Sequence, residues 1–285
     1  MLRSFEEFIE DETVELVEKL ITFGGRAYPR FGNVVILAGG AGSGKGFIKD
    51  NLVGLEGKVF DVDQLKQLAI RTPAIIKKVK DQLDIDLKNI NLSNEEHVRI
   101  VHEIIGDLMK FPNKRQQAFF ANVLMADPER KPNIIFDVTL KDLRKLEKIT
   151  RMASQVGYDK DKVHIVWVVN DIEVAKKQNL DPERGRVVPV EILVNTHRGA
   201  SETMKDILNM GNRLKKYMNG DIVFAFNKIG VDSDLRKSGR GGRYIENSNY
   251  FYVKRAGKAV TSVNDLSMDI RKKIANYVPK NISWD

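Results

Sequence analysis

Cysteine is absent from the 285 residues. Its absence excludes disulfide bridges, thiolate catalysis and cysteine-ligated metal together. No apolar run reaches membrane-spanning length. The opening residues, Met1-Leu2-Arg3-Ser4-Phe5-Glu6-Glu7, are too acidic for a signal peptide. The four histidines, His97, His102, His164 and His197, lack metal-ligand spacing, and each reads as structural. Internal repeats and low-complexity segments are also missing. What remains is a globular mixture, 42% hydrophobic and 30% charged, expected to be soluble and cytoplasmic.

The charge is uneven. Of 47 Lys+Arg and 39 Asp+Glu, residues 211–285 hold 15 basic and 7 acidic side chains, so the whole excess of +8 sits there. A basic end of this kind suits an anionic partner.

Runs of β-forming residues recur along the chain: Val34-Val35-Ile36-Leu37, Val59-Phe60, Ile134-Ile135-Phe136, residues 163–169 and residues 222–226. Helical stretches separate them, the pattern of a parallel sheet covered on both faces. An amphipathic helix is expected over residues 4–22, ending at Gly24-Gly25. About seventy residues separate the second and third runs, and they read as helices near 64–71, 74–82, 94–110 and 114–126. Ser93-Asn94-Glu95-Glu96 has the capping-box pattern and predicts a helix start. This insertion, about 64–130, is either a substrate platform or a helical layer over the sheet. The expected domains are 1–232 and a basic extension, 233–285, with a soft boundary in residues 233–242.

The most specific signal is Gly39-Gly40-Ala41-Gly42-Ser43-Gly44-Lys45-Gly46, between a predicted strand and a predicted helix. It fits G-x-x-x-x-G-K, the P-loop pattern. Glycines let the backbone turn tightly, so that successive N–H groups converge on phosphate oxygens. Residues 40–47, through Phe47, are therefore the expected nucleotide contacts, and Lys45 is expected to neutralise charge on the terminal phosphates. ATP and Mg²⁺ are the implied cofactors. Gly46 stands where Ser or Thr would offer a hydroxyl to Mg²⁺, so the cation has to rely on water, phosphate and carboxylates.

Two strands end in acids. Val59-Phe60-Asp61-Val62-Asp63-Gln64 places Asp61 and Asp63 on one face if the strand stays extended, and a helix starting at Gln64 would tilt Asp63 outward. Asp63 is the expected base for an acceptor hydroxyl, while Asp61 is either a supporting carboxylate and metal contact or a helix N-cap. Asn133-Ile134-Ile135-Phe136-Asp137-Val138-Thr139 has the form of a Walker B strand, with Asp137 as the metal or substrate contact.

After the fourth run, a helix carrying Lys176 and Lys177 leads into Glu183-Arg184-Gly185-Arg186-Val187-Val188-Pro189. Arginine's planar fork suits phosphate oxygens, so Arg184 first and Arg186 second are the expected lid cations, with Arg198 a distant third. At the basic end, Leu235-Arg236-Lys237-Ser238-Gly239-Arg240-Gly241-Gly242-Arg243-Tyr244 and Asn249-Tyr250-Phe251-Tyr252-Val253-Lys254-Arg255 interleave cations with aromatics. That pattern either holds a nucleic acid or is a loop followed by a β-hairpin packed on the domain. The Arg271-Lys272-Lys273 helix at 265–277 has the same ambiguity.

In this order the motifs resemble the zeta-toxin and polynucleotide-kinase branch of P-loop kinases, over about residues 33–230. The whole chain is also similar to kinase-like proteins of large tailed phages, which would place it in the host cytoplasm. The resemblance implies ATP-dependent phosphorylation of a hydroxyl. In that branch an Asp after the second strand activates the acceptor, which matches Asp63. The third-strand acid, often Glu in zeta-toxin relatives, matches Asp137, and the Arg-Gly-x-x-Val-Pro lid of phage polynucleotide kinases maps to Arg184. The family's additional upstream lid arginine has no clear counterpart, and Lys177 is the residue to stand in for it.

The expected fold is a P-loop α/β three-layer αβα sandwich with a five-stranded, mostly parallel sheet. The expected function is phosphoryl transfer to a hydroxyl of a nucleic acid or modified base. The alternatives are a small-molecule kinase acting on a nucleoside monophosphate or nucleotide-sugar, and a nucleotide-binding module without turnover.

Overall fold

The computed structural model describes residues 21–26, 29–180, 187–226, 233–237, 243–248 and 250–259. The expected helix over 265–277, and all of the expected 4–22 helix before Ile21, lie outside the described residues. Each β-rich run becomes a strand: β1 (Val34–Ala38), β2 (Lys58–Asp61), β3 (Ile134–Val138), β4 (Val163–Val169) and β5 (Ile222–Phe226). They are parallel and stand in the order β2-β3-β1-β4-β5.

The sheet has seven strands, not five. β8 (Tyr250–Arg255) pairs antiparallel with β5, and β9 (Lys258–Ala259) pairs with β8. The basic, aromatic stretch is therefore part of the main sheet. Its alternation explains why: Val253 joins the core on one face while Tyr250 and Tyr252 pack against the core on the other. The edge of β5 is thereby paired rather than left open. Between these strands, β6 (Ser233–Lys237) and β7 (Arg243–Ser248) form a separate antiparallel pair.

Strand alternation divides the core into two. Val35 and Leu37 of β1 face a cluster with Ile48 and Leu52 from the segment of helix α1 (Lys45–Asn51) and its C-cap. Val34 and Ile36 face the opposite cluster. There they meet Phe120 and Val123 of α5 (Phe111–Leu124), Leu146 and Ile149 of α6 (Leu143–Gln155), and Met204 and Ile207 of α8 (Val190–Asn209). Helices on both faces of the parallel strands make the three layers.

The insertion divides in the same way. Its helix α5 covers the sheet, as a plain layer would. The rest has its own core of Ala69, Val79, Leu87, Val101, Ile104 and Ile105. These come from α2 (Val62–Arg71), α3 (Pro73–Leu83), the 3-10 turn Leu87–Asn89, α4 (Glu95–Val101), and the π-helical segment His102–Leu108 that continues α4. The start of α4 is one residue later than the capping-box reading places it. Asn94 is the N-cap, its side chain accepting from the N–H groups of Glu96 and His97.

Candidate active site

The chain leaves β1 toward β2 on one side and leaves β4 toward β5 on the other. β1 and β4 are neighbours, so a crevice opens between their carboxyl ends, where open α/β sheets bind ligands. The glycine-rich turn lies there. Gly39, Gly42 and Gly44 have φ of 151°, 75° and 84°, in the left-handed range that disfavours side chains. An added Cβ at Gly39 would also stand 2.6 Å from the Val168 carbonyl of β4. The turn thus requires glycine both for its conformation and for its closeness to the sheet.

Lys45 opens α1 and folds back over this turn. Its Nζ donates to the carbonyls of Gly39 at 3.0 Å and Gly40 at 3.2 Å, and lies 3.7 Å from Asp137 Oδ1. Strand register explains the meeting. Leu37 is level with Asp137, and Asp61 is level with Asp137 on the other side. Leu37 belongs to the face that α1 covers, so both carboxylates project toward that same face. Burial pushes the Asp137 carboxyl above its usual range; Lys45 opposes the rise, and Asp61 and Asp63 add to it.

Asp61 is the N-cap of α2, accepting from the N–H groups of Asp63 at 2.8 Å and Gln64 at 3.3 Å. The helix begins at Val62, not Gln64, so Asp63 sits in its first turn rather than on an extended strand. One turn on, Lys66 Nζ lies 4.0 Å from Asp63 Oδ1 and 2.8 Å from His102 Nδ1 on the π-helical segment. The ammonium can only donate, so that imidazole nitrogen accepts. By sequence His102 reads as structural and Lys66 has no role of its own, because the two meet across 36 residues of chain.

The remaining expected residues are distributed as follows. Gly46 is exposed, and an added Cβ there would meet nothing within 4 Å. The side chain of Phe47 packs onto the core beneath α1, leaving its backbone to the loop. Lys177 is exposed on α7 (Ile172–Asn179), and Arg198 is half-buried on α8. Arg184 and Arg186 lie outside the described residues. The chain on either side of them is pinned: Asn179 Nδ2 donates to the Val188 carbonyl at 2.6 Å, and Val188 N–H donates to Asn179 Oδ1 at 2.9 Å.

A magnesium ion that arrives with a triphosphate needs one or two carboxylates and takes its other ligands from phosphate and water. Among the described residues no group of three metal-ligating side chains converges. Asp137, level with Asp61, fits the first requirement and not a dedicated protein cage.

The fold and the turn define a P-loop α/β protein. Over residues 113–226 the chain matches the family model described as zeta toxin. That stretch includes Asp137 and stops short of the turn itself. No curated protein sequence matches. Among solved structures, one from work on the PezAT chromosomal toxin-antitoxin system of Streptococcus pneumoniae is 14% identical. It covers 78% of this chain and 77% of its own, with a TM-score of 0.41. A second, AvrRxo1-ORF1:-ORF2 with ATP, is 12% identical, covers 98% of this chain and 72% of its own, and has a TM-score of 0.46. No helix among the described residues is long and apolar enough to cross a membrane.

Proposed function

We propose that this chain is an ATP-dependent phosphotransferase, a P-loop kinase, whose acceptor is the hydroxyl of a small molecule. The observation that carries the reading is the position of Lys45, which caps the glycine turn and faces Asp137 at 3.7 Å. Similarity to the zeta-toxin model supports the kinase class.

Asp63 orients the acceptor hydroxyl and takes its proton as the hydroxyl oxygen bonds to the γ-phosphorus. The bond from that phosphorus to the β,γ-bridging oxygen breaks, and ADP leaves. Lys45 exchanges the loop carbonyls for phosphate oxygens and offsets the charge that develops on them. Arg184 and Arg186 are the side chains assigned to add positive charge to the transferred group. Mg²⁺, held by Asp137 with Asp61 beside it, would neutralise phosphate charge.

Two placements favour a small acceptor over a nucleic acid. β8 is five strands away from β2 in the sheet, about 24 Å at ordinary strand spacing. Because β8 runs antiparallel, Lys254 is level with Ile222 at the amino end of β5, away from the crevice. Its aromatics are also engaged: the Tyr252 hydroxyl donates to the Thr22 carbonyl at 2.9 Å and accepts from Thr22 N–H at 2.8 Å. On the acceptor side, the contact of His102 with Lys66 brings the insertion within one helical turn of Asp63.

The test is calorimetry with ATP, followed by transfer from labelled ATP to nucleoside monophosphates, nucleotide-sugars, and single- and double-stranded DNA. Labelled small acceptors that disappear in Asp63→Asn are expected. Transfer to DNA alone would overturn the choice of acceptor, and ATP binding without any consumption would leave a binding module.

A further inference from the structure

Ala41 is the one non-glycine residue before Ser43 in the turn, and both of its backbone polar groups are held by α8. Its N–H donates to Thr196 Oγ1 at 3.0 Å, and its carbonyl oxygen is 2.8 Å from His197 Nε2. Thr196 and His197 are themselves buried, 7% and 5% exposed. An added Cβ at Gly40 would run into the His197 ring, so the imidazole lies flush against the turn.

The donor and acceptor roles are fixed by chemistry. The Thr196 hydroxyl donates to the Leu193 carbonyl at 2.7 Å, which leaves its oxygen to accept from Ala41. A carbonyl oxygen only accepts, so His197 carries its proton on Nε2. Burial holds that ring neutral, with its pKa pushed down to about 4. A third side chain joins from β4's end: Asn170, fully buried, donates from Nδ2 to the Gly42 carbonyl at 3.3 Å.

We infer that Thr196 and His197 are positioning residues for nucleotide binding: they fix the two peptide planes that flank Ala41 so that the following amides of the turn face the phosphates. A glycine-rich loop is otherwise free to rotate these peptide planes, and ordering them at the moment of binding costs affinity. By accepting the Ala41 N–H and donating to its carbonyl, α8 removes that freedom before the ligand arrives. Neither residue touches the phosphates in this account; each acts through the turn. The inference rests on the nucleotide-binding reading above.

The test is ATP calorimetry on the full chain, with a thermal melt of each variant. Thr196→Val and His197→Ala are expected to weaken ATP binding about three- to tenfold each, the scale of one buried hydrogen bond. The double variant should cost less than the product of the two, because both hold the same residue of the turn through its two adjoining peptides. Thr196→Ser and His197→Gln keep an acceptor and a neutral donor, and should recover to within about twofold of the parent. Imidazole nitrogen NMR of the parent should show a neutral Nε2–H ring. A parent that binds ATP, with Thr196→Val and His197→Ala binding within twofold of it and only melting lower, would overturn the positioning role. A parent that binds no ATP would remove the nucleotide reading and the positioning role with it. A Nε2–H signal in that sample would then mark the contact as packing alone.

Discussion

Lys45 and Asp137 face each other across 3.7 Å at the carboxyl edge of the sheet, while the same ammonium is hydrogen-bonded to the carbonyls of Gly39 and Gly40. The lysine thus directs its donors to its own loop. A ligand has to replace those bonds with stronger, charge-assisted ones. Lys45→Met should therefore abolish measurable ATP binding and lower turnover by roughly 10² or more, the scale for losing a charge-stabilising donor. The variant also leaves Asp137 half-shielded without its cation, and a melt about 1–3 kcal/mol less stable is expected. Calorimetry and a denaturant titration separate the two effects.

Asp61 and Asp63 should part ways on mutation. Asp63→Asn preserves shape but cannot take a proton. Transfer should fall by roughly 10²–10⁴, with ATP affinity within twofold of the parent. Asp61→Ala removes the cap that accepts from Asp63 and Gln64, and should cost about 1 kcal/mol in a urea melt. Equal losses of turnover with no loss of ATP affinity in both would mean that Asp61 shares the proton-transfer role.

The turn, Asp137 and the five parallel strands were legible because each is a local pattern: glycines at fixed spacing, an apolar run ending in an acid. The start of α2 was misplaced because a strand's alternation and a helix's first turn both put residues two apart within reach, and Asp61's capping bond decides between them. The contact of Thr196 and His197 with the turn was not legible, and His197 reads by sequence only as structural. They lie 155 and 156 residues from Ala41, and only the packing of α8 on the crevice joins them. The β8 stretch reads by sequence as either a nucleic-acid surface or a β-hairpin packed on the domain. β8 and β9 do pair antiparallel, and what the local pattern does not show is that β8 also pairs with β5 and so extends the main sheet.

His197 makes stability depend on pH. Burial lowers its pKa from 6.5 to about 4; the bond to the Ala41 carbonyl works against that fall and Lys45 adds to it. Between those values the unfolded chain binds a proton that the folded one refuses. Folding stability should therefore be complete above about pH 6.5 and decline as pH falls toward 4, by an amount of the order of 3 kcal/mol. In His197→Gln that decline should be absent, so that the two profiles diverge across the window, as read by denaturant midpoints at half-unit steps. Parallel pH profiles in the two proteins would count against a buried neutral ring.

Asp221 should govern a lower window. Its carboxylate, fully buried, accepts from the N–H groups of Gly24 and Ala256 at 2.6 Å each and lies 3.2 Å from His164 Nδ1. It ties the chain before β1 and the turn after β8 to the start of β5. Burial raises its pKa, but the neighbouring His164 and the N–H groups of Gly24 and Ala256 outweigh that and hold it below 3.8. Its stabilisation is thus present above pH 3.8 and lost as pH falls beneath it. Asp221→Asn should lower stability at pH 7 by about 1–3 kcal/mol, since one amide group cannot accept what the carboxylate does. An unchanged melt would show that the Gly24 and Ala256 N–H groups find other acceptors.

The last prediction separates the two edges of the sheet. Lys254 donates to Asn219 Oδ1 at 2.9 Å, and the Arg255 guanidinium stands 4.9 Å from the Tyr252 ring centre. Both belong to β8, on the side of the sheet away from Asp63. Lys66, by contrast, lies 4.0 Å from the Asp63 carboxylate. Lys254→Ala and Arg255→Ala together should leave turnover with a small acceptor within about twofold, because no charge at that distance survives screening at physiological salt. Lys66→Met should raise the acceptor KM without changing ATP affinity, since its ammonium stands beside the Asp63 carboxylate and not over the turn. If instead the β8 pair slowed transfer, and more so as salt was lowered, the acceptor would be a polyanion reaching across the sheet.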